Sequence, residues 1–376
     1  MPATWIRTPG ELRALAGSLT VSRALALDSE SDSLHHHFEK VCLVQYATDR
    51  GAAGLVDPLA VRDLSPLAPV LADPGVVKVL HGADYDVTTM KRDFGFRFAN
   101  LFDTMLAARF LGMPAIGLQA VLKAELGVDL AKDSQKDDWS RRPLTPRQET
   151  YAIEDVRHLL EVHRRLEARL SQAGRLSWVV EECEAVAALE PARRKRDPDA
   201  WQKVKGVRRL TPRRQAVLRE LHAWRESVAE ATDLPPFRIL GPDTMMAIAE
   251  RQPLSVAELR QLRGLSPRVV REPGPVLEAV ARASALDEAD LPRLSSPPRR
   301  VPSAETRRRS EALRAWRTDE AGRVGLDVSV VLPQRLLDRV AEAAPRDRDA
   351  LGAIEGLRRW RVGAFGEGIL AALRKA

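Results

Sequence analysis

The first residues whose spacing could support chemistry are two carboxylates near the start of the chain. Asp28 and Glu30 lie two residues apart at the end of the β-rich run 24–28. On a strand, residues i and i+2 face the same side, so the two carboxylates repel each other unless a cation lies between them. The alternative is an acidic edge that faces solvent.

Further polar residues are placed to join them. Asp86 follows an apolar strand at its turn into a helix, a common place for a functional side chain, whereas Asp84 could cap that helix. Tyr151 and Asp155 lie four residues apart and therefore share one helix face. By themselves these two could equally form a structural hydrogen-bonded pair.

Together the carboxylates Asp28, Glu30, Asp86 and Asp155 have the composition of a site for two cations. Mg²⁺ prefers oxygen ligands. Two such ions about 3.5–4 Å apart can clamp the attacking and leaving oxygens of a phosphodiester displacement. The set therefore indicates hydrolysis of an anionic phosphodiester.

The elements that must position these residues are strands followed by helices, which is typical of an α/β domain with a mixed sheet. A capping box at Thr145 and Gln148 predicts a helix that runs to about Leu170. The other predicted elements are strands over 24–28, 42–47 and 76–82 and helices over 84–93, 101–112 and 176–190.

The second half of the chain is predicted to be helical, with two interruptions. Similar segments at 218–234 and 310–326, each with Leu-x-x-Trp-Arg, indicate a duplicated helical unit. The predicted divisions are an α/β domain at 1–190, a basic linker at 191–209, a helical unit at 210–287, a proline-rich linker at 288–303 and a degenerate second helical unit at 304–376.

Composition excludes several classes of protein. The 376 residues include 44% hydrophobic and 30% charged side chains, which suits folded domains, and two cysteines, too few for a disulfide framework. We find no apolar run of the ~18 residues that span a membrane, no secretory leader and no phosphate-binding glycine motif. We therefore expect a cytoplasmic protein without membrane contact or a nucleotide cofactor.

The net charge of +7 conceals two unlike halves. Residues 1–190 carry 22 basic and 27 acidic side chains, net −5, and residues 191–376 carry 37 and 25, net +12. The basic half predicts binding to nucleic-acid phosphates, although a solvated arginine-rich face is the alternative. The residues expected to contact RNA are Arg193, Arg194, Lys195, Arg196, Lys203, Lys205, Arg208 and Arg209.

The motifs carry a resemblance to a known family. Asp-Ser-Glu at 28–30, His-Gly-Ala-Asp-Tyr-Asp at 81–86 and Tyr-Ala-Ile-Glu-Asp at 151–155 resemble the exonuclease motifs of the tyrosine-bearing DEDD superfamily. Their order and spacing resemble the ribonuclease D family over about 20–375, and both helical units resemble the HRDC domain. The resemblance implies a ribonuclease H-like exonuclease domain with a mixed sheet and flanking helices, followed by two all-α HRDC bundles.

The resemblance also implies a role for each motif residue. The metal ligands would be Asp28, Glu30, Asp86 and Asp155, with Asp86 preferred to Asp84 because the family's aspartate lies five residues after the motif histidine. Tyr151 would position the attacking water. The implied protein is a 3′→5′ exoribonuclease that uses two divalent cations, Mg²⁺ or Mn²⁺, and no ATP, on tRNA precursors and other small structured RNAs. The two predicted linkers suggest a monomer.

Two other functions remain open from the sequence. Related sites and HRDC domains also serve DNA, so a DNA 3′→5′ exonuclease is one alternative, and a non-catalytic RNA-binding protein on the same fold is another. The histidine triplet at 35–37 departs from the family pattern. Because consecutive histidines on a strand cannot all point the same way, a solvent-exposed loop is favoured over a transition-metal site.

Overall fold

The computed structural model describes residues 4–130, 134–192, 197–294 and 302–376. The chain divides into two compact units. The first comprises Met1–Ser31, Val41–Ala192 and Arg300–Ala376, and the second comprises Asp32–Lys40 and Arg193–Arg299. The two predicted helical copies therefore belong to different units.

The first unit is built on a six-stranded mixed sheet, as the sequence predicted. Its order is β1-β4-β3-β2-β5-β6, with β3 antiparallel to β2 and β4 and the other neighbours parallel. Every residue of β3 is buried, because both faces of the sheet are covered. The strands are β1 Thr4–Ile6, β2 Ala24–Ser31, β3 Val41–Thr48, β4 Ala53–Val56, β5 Val77–Leu80 and β6 Leu101–Asp103.

Eight helices flank this sheet. They are α1 Pro9–Leu19, α2 Ala68–Ala72, α3 Asp84–Phe94, α4 Thr104–Phe110, α5 Leu118–Leu126, α6 Pro146–Arg157, α7 Leu159–Gln172 and α8 Leu176–Ala187. The capping box at Thr145 is confirmed: the Thr145 side chain accepts from the Gln148 backbone, and the Gln148 side chain accepts from the Thr145 backbone.

Two of the predicted helices differ from the structure. The segment 101–112 begins with strand β6, because Leu101 and Phe102 pair with β5 and Asp103 is extended before it caps α4. The long helix from Thr145 divides at His158 into α6 and α7. The division lets α6 pack on β3 and β4 while α7 packs on α4 and α5.

The second unit contains the first helical copy. Its core includes Trp201 and Val207, which come from the basic stretch before the copy, and Trp224 packs against it. The copy's helices are α9 Pro212–Thr232, α10 Pro236–Ile239, α11 Pro242–Arg251, α12 Val256–Arg260, α13 Pro267–Arg271 and α14 Gly274–Ser284.

The histidine segment lies in this same unit and forms the loop that we expected, although its histidines are only partly exposed. His36 Nδ1 lies 2.8 Å from Asp233 Oδ2, and the Phe38 backbone donates to the other oxygen of Asp233. His35 contacts Arg238. All three histidines are half-buried, because the segment packs against the end of α9 and against α10.

The second helical copy is part of the first unit and shares its hydrophobic core. Trp316 packs there so closely on Gly368 that a Cβ at position 368 would lie 2.5 Å from the indole nitrogen. The copy's helices are α15 Ala304–Val324, α16 Val328–Val331, α17 Gln334–Ala343, α18 Arg348–Gly352 and α19 Arg359–Arg374. The first four match α9 to α12 in length, which supports the duplication. In the described parts of the chain, we find no helix that combines the length and apolarity of a bilayer span.

Candidate active site

The first two carboxylates lie at the end of β2. Asp28 and Glu30 alternate with Ser29 along the strand and are half-buried. Asp28 pairs across the sheet with Gln45 of β3, and the register with β3 shifts between Glu30 and Ser31. This irregularity ends regular pairing just beyond Glu30, which leaves both carboxylates at the margin of the sheet.

Helix α6 brings the third carboxylate to the same place. One carboxylate oxygen from each of Asp28, Glu30 and Asp155 lies within 4.8 Å of the others. Tyr151, one turn earlier on α6, donates its phenol hydrogen to Asp155. The helix is held over the sheet in part by Arg142, which binds Asp57 through two nitrogens at 2.7 and 2.9 Å.

Asp86 lies beside this group but is not one of the three. Its carboxylate accepts a hydrogen bond of 2.5 Å from the Ser29 hydroxyl, and only 6% of the residue is exposed. It lies in the first turn of α3, where the helix dipole favours negative charge. Asp84 is exposed, whereas Asp86 is buried and contacts Ser29, which lies between Asp28 and Glu30 on β2.

The electrostatics of the four carboxylates are those of a site that lacks positive charge. Burial raises the pKa of Asp28 well above its usual range, and repulsion from Asp86, Asp155 and Glu30 adds to the effect. The pKa of Glu30 is also raised well above its usual range, mainly by burial and further by repulsion from Asp155 and Asp86. Burial also raises the pKa of both Asp86 and Asp155 to about 7. Among the residues that the structure describes, no lysine or arginine pairs with any of these carboxylates.

Tyr151 keeps its proton in this environment. Burial raises its pKa above the ordinary value, and repulsion between a phenolate and Asp155, Glu30 and Asp28 raises it further. A phenol with a raised pKa is a poor general base near neutral pH. Tyr151 is therefore suited to donating a hydrogen bond rather than to removing a proton.

The sequence did not reveal the residue that holds the motif around His81 in place. The carboxylate of Asp103, at the end of β6, accepts hydrogen bonds from the backbones of Gly82 and Ala83, both at 2.9 Å. The same carboxylate caps α4. Gly82 has a φ of 74°, in the left-handed region that favours glycine. Asp103 thereby fixes the turn from which α3 presents Asp86; we had assigned it to a helix interior.

Two more polar groups lie near the site: the motif histidine His81, and Gln45, which the sequence did not identify. His81 Nδ1 lies 2.8 Å from the Thr104 hydroxyl, and burial lowers the pKa of the His81 imidazole. Gln45 faces Asp28 across the sheet, and its side-chain amide has no hydrogen-bond partner among the described residues. The available signal was a polar residue buried within the mostly apolar strand β3, and Gln45 shares that description with Thr48.

The carboxylates open into a cleft of about 730 Å³. Its walls come from β2, from α5 through Leu118, Gln119 and Lys123, and from α6 through Tyr151 and Asp155. The volume lies in the range of about 300–1,000 Å³ that is usual for ligand pockets. A cleft with acidic residues at its base has room for a nucleotide and for cations.

The residues expected to contact RNA lie in the second unit where they are described. Lys203, Lys205, Arg208 and Arg209 are exposed, and Lys203 pairs with Asp197 at 2.7 Å. The other four, Arg193, Arg194, Lys195 and Arg196, fall outside the described residues. Contact between RNA and any of the eight stays a prediction.

Comparison with protein-family models identifies the parts of the chain. Residues 3–171 match the 3′-5′ exonuclease family. Residues 214–280 and 307–373 each match the HRDC domain. The two matches agree with the duplication inferred from the repeated Leu-x-x-Trp-Arg segments.

Comparison with individual proteins extends the likeness to the whole chain. A ribonuclease D from Pseudomonas paraeruginosa is 36% identical, over 99% of this chain and 98% of that protein. The crystal structure of Escherichia coli RNase D, described as an exoribonuclease involved in structured RNA processing, is 27% identical with a TM-score of 0.70, over 100% of this chain and 99% of the other. The catalytic core of RRP6 from Trypanosoma brucei is 32% identical with a TM-score of 0.69, over 76% and 81%.

Proposed function

The chain belongs to the ribonuclease D family of 3′→5′ exoribonucleases, and from this premise we propose how its residues act. It removes nucleotides from RNA 3′ ends by hydrolysis and releases 5′-mononucleotides. The observation that carries the proposal is the group formed by Asp28, Glu30 and Asp155, whose oxygens lie within 4.8 Å of one another without a paired cation in the described structure.

The donor set fits divalent cations. The exonuclease family uses divalent metal ions, and four neighbouring carboxylates with raised pKa values need positive charge to be stable together when ionised. We propose that Asp28, Glu30, Asp86 and Asp155 would together hold these cations. When bound, such ions neutralise the phosphodiester and stabilise charge on its attacking and leaving oxygens. Mg²⁺ and Mn²⁺ both take oxygen ligands.

The chain's own residues orient the reactants. Tyr151 remains protonated, and its hydroxyl, which donates to Asp155, lies where it can hold a water molecule for attack on the phosphorus. Asp103 maintains the turn that presents Asp86. The Ser29 hydroxyl holds the Asp86 carboxylate in one orientation. These contacts fix the ligands before substrate arrives, which lowers the cost of assembling the site.

The natural substrate and cellular setting stay predictions. We propose tRNA precursors and other small structured RNAs as substrates for a monomer in the cytoplasm. The net +12 of residues 191–376 supports phosphate binding, which carries no sequence information and weakens as salt rises. A protein that handles many RNA sequences needs this kind of contact.

The experiment that tests the proposed function is digestion of matched 3′-hydroxyl RNA and DNA oligonucleotides with Mg²⁺, with Mn²⁺ and with chelator. We expect RNA to shorten from its 3′ end with release of 5′-mononucleotides, and chelation to stop the reaction. Tyr151→Phe should slow hydrolysis about 10²-fold, as loss of a positioned polar group does, while Tyr46→Phe, a buried phenol outside the cleft, serves as its control.

Three results would contradict the proposal. Internal cleavage of RNA would exclude an exonuclease, and faster digestion of DNA than of RNA would exclude RNA as the preferred substrate. Full activity in chelator would exclude the cation assignment. An unchanged rate in Tyr151→Phe would remove Tyr151 from the mechanism without affecting the other assignments.

A further inference from the structure

The loop that follows the catalytic strand β2 belongs to a different compact unit from the strand itself. Strands β2 and β3 lie in the first unit, whereas the loop between them, Asp32–Lys40, lies in the second unit with the first HRDC copy. Asp32 follows the cleft residue Glu30 by two positions, so their Cα atoms are at most about 7 Å apart. A displacement of the loop therefore reaches Glu30 through a very short piece of chain.

The two strand ends that the loop joins are both bonded to α3, the helix that carries Asp86. The Ser31 hydroxyl lies 2.6 Å from the Tyr85 hydroxyl, and the Val41 backbone donates to Asp93 at 2.8 Å. The base of the loop is therefore joined to the elements that carry two of the four cleft carboxylates.

Within the loop, Asp32 bonds to several other loop residues. Its carboxylate accepts from the Lys40 backbone at 2.8 Å and pairs with the Lys40 ammonium at 2.5 Å. Its backbone carbonyl accepts from the backbones of His35 and His36 at 2.8 and 2.9 Å, and the residue has no exposed surface. These bonds make the loop compact, so a contact at its tip also restrains its base.

The tip of the loop is bonded to the end of α9 through one carboxylate. Asp233 accepts from the Phe38 backbone at 2.8 Å, and its other oxygen lies 2.8 Å from His36 Nδ1. Asp233 has a φ of 49°, because α9 ends there in the left-handed conformation. Beside it, Arg238 of α10 lies 2.9 Å from His35 Nδ1. The loop is thus held at its tip by α9 and α10.

The histidines of the loop are not arranged as a metal site. In the described parts of the chain, they do not join any set of three or more metal-binding side chains whose ligand atoms lie within 4.8 Å of one another. His36 directs Nδ1 at Asp233, and its Nε2 lies 3.9 Å from Asp32. The imidazole therefore links the loop to α9.

We propose that the loop Asp32–Lys40 is a strap that positions Glu30, with His36 and Asp233 as its positioning residues. The inference rests on the proposed function, since Glu30 enters it as a ligand of the cations that the reaction uses. Such a ligand must be held to within about 0.5 Å. Glu30 lies where regular pairing with β3 is interrupted, so the strand alone holds it less firmly than a residue within regular pairing.

The strap determines which kinetic quantities depend on His36. Loss of a support for Glu30 weakens cation binding and transition-state stabilisation, so kcat falls and the Mg²⁺ concentration for half-maximal rate rises. Loss of a contact with RNA would instead raise KM and leave kcat unchanged. Kinetics therefore separate a positioning role of the loop from an RNA-binding role.

The test replaces His36 in the full chain and measures hydrolysis of a 3′-hydroxyl RNA over a range of Mg²⁺ concentrations. His36→Ala should lower kcat about fivefold, the effect of one lost hydrogen bond, with KM for RNA within about twofold. It should also raise the half-saturating Mg²⁺ concentration about threefold. His36→Asn, whose amide can donate from near the position of Nδ1, should recover most of both losses.

Asp233→Asn tests the other side of the same link. It removes one of the two acceptor oxygens, and asparagine still tolerates the left-handed backbone at this position. We expect it to resemble His36→Ala, and we expect the double variant to lose no more than either single variant, because both changes remove one contact. Asp287→Asn, an exposed aspartate of the same unit, is the matched control and should behave as the parent.

Melting curves show which variants are folded. If His36→Ala is unfolded, Asp233→Asn decides, and unfolding of both would show that the link stabilises the second unit instead of positioning Glu30. Parent kcat and parent Mg²⁺ dependence in a folded variant would overturn the strap. A rise in KM alone would also overturn it, because it would assign the loop to RNA contact. Failure of the parent protein to digest RNA would instead contradict the proposed function.

Discussion

Two groups of acidic residues in the same compact unit use their carboxylates in opposite ways. Asp28, Glu30 and Asp155 converge at the cleft without a cationic partner among the described residues, and burial and repulsion raise the pKa of each. Glu181 and Glu182, on α8, face the second HRDC copy and have several partners. Residue type alone does not distinguish the two groups.

Every contact of the glutamate pair contributes to holding α19 on α8. Glu181 accepts from the backbones of Arg359 and Trp360 at 2.8 and 2.9 Å, and so caps a helix whose own cap residue provides no side-chain bond. Glu182 accepts from the Trp360 indole at 3.0 Å and pairs with Arg361 at 3.4 Å. Trp178 stacks on Trp360 with ring centroids 4.8 Å apart.

The difference separates a structural use of charge from a functional one. Burial lowers the pKa of Arg361 to about 10, and Glu182 opposes that effect by favouring its charged form. Glu182 therefore lowers the free-energy cost of burying the charged Arg361. The repulsion among the cleft carboxylates, in contrast, persists until a cation binds. Unrelieved repulsion among buried acids is a mark of a functional site.

The largest expected effect comes from neutralising the cleft. Asp155→Asn should lower the rate of RNA hydrolysis about 10³-fold, because several kcal/mol of transition-state stabilisation depends on the bound cations. The same change should raise the free energy of unfolding of the metal-free protein by about 1 kcal/mol, since a repulsive charge is removed. Single-turnover hydrolysis and chemical denaturation measure the two quantities.

The control for this change is Asp84→Asn, an exposed aspartate at the start of α3. We expect parent activity and parent stability from it. If Asp155→Asn is less stable than the parent, or still hydrolyses RNA at the parent rate, the cleft carboxylates stabilise the folded protein as Glu182 does.

The next effect is a dependence of stability on pH. Asp86 and Asp155 have pKa values of about 7 in the folded protein against an ordinary 3.8. The folded state therefore binds more protons than the unfolded state between these values, and metal-free stability should fall as pH rises from about 4 to 7. At about 1.4 kcal/mol per pKa unit, each of the two groups contributes a loss of about 2.5 kcal/mol between pH 5 and pH 8, so we expect a total loss of about 5 kcal/mol.

Divalent cations should reverse this loss because they replace the protons. Denaturation midpoints measured with Mg²⁺ and with chelator at both pH values test this reversal. We expect Mg²⁺ to stabilise the protein more at pH 8 than at pH 5, and Asp155→Asn to weaken that difference. An equal Mg²⁺ effect at the two pH values would contradict the assignment.

The smallest effect should come from the glutamate pair. Glu182→Gln should lower the free energy of unfolding by about 2 kcal/mol, because it leaves Arg361, which is only 4% exposed, without its carboxylate. Hydrolysis by the folded protein should be unchanged. Glu184→Gln, an exposed position two residues later on α8, is the matched control. A Glu182→Gln protein that is as stable as the parent, or folded but inactive, would remove the distinction between the two groups.

Much of the site could be predicted because its evidence is local. The i and i+2 spacing of Asp28 and Glu30 places both on one side of a strand, and the i and i+4 spacing of Tyr151 and Asp155 places both on one side of a helix. The structure agrees with both placements. The capping box at Thr145 is equally local and was confirmed.

The contribution of Asp103 could not be predicted, because its partners are distant in sequence. Asp103 binds the backbone of Gly82, 21 residues earlier, and the pattern of 101–112 resembles a helix until β6 is seen to pair with β5.

The sequence by itself determined which residue types recur at which intervals: the paired carboxylates, the capped helix, and the two helical copies with their Leu-x-x-Trp-Arg segments. Those features depend on strand and helix geometry, which acts over a few residues. Only the tertiary structure decided that the copies differ. The second copy shares the core of the catalytic unit, with Trp360 bonded to Glu182, whereas the first copy has its own core. Packing and desolvation bring together residues about 180 positions apart, such as Glu182 and Trp360. The periodicity within each copy does not indicate which of its helix faces packs on another part of the chain.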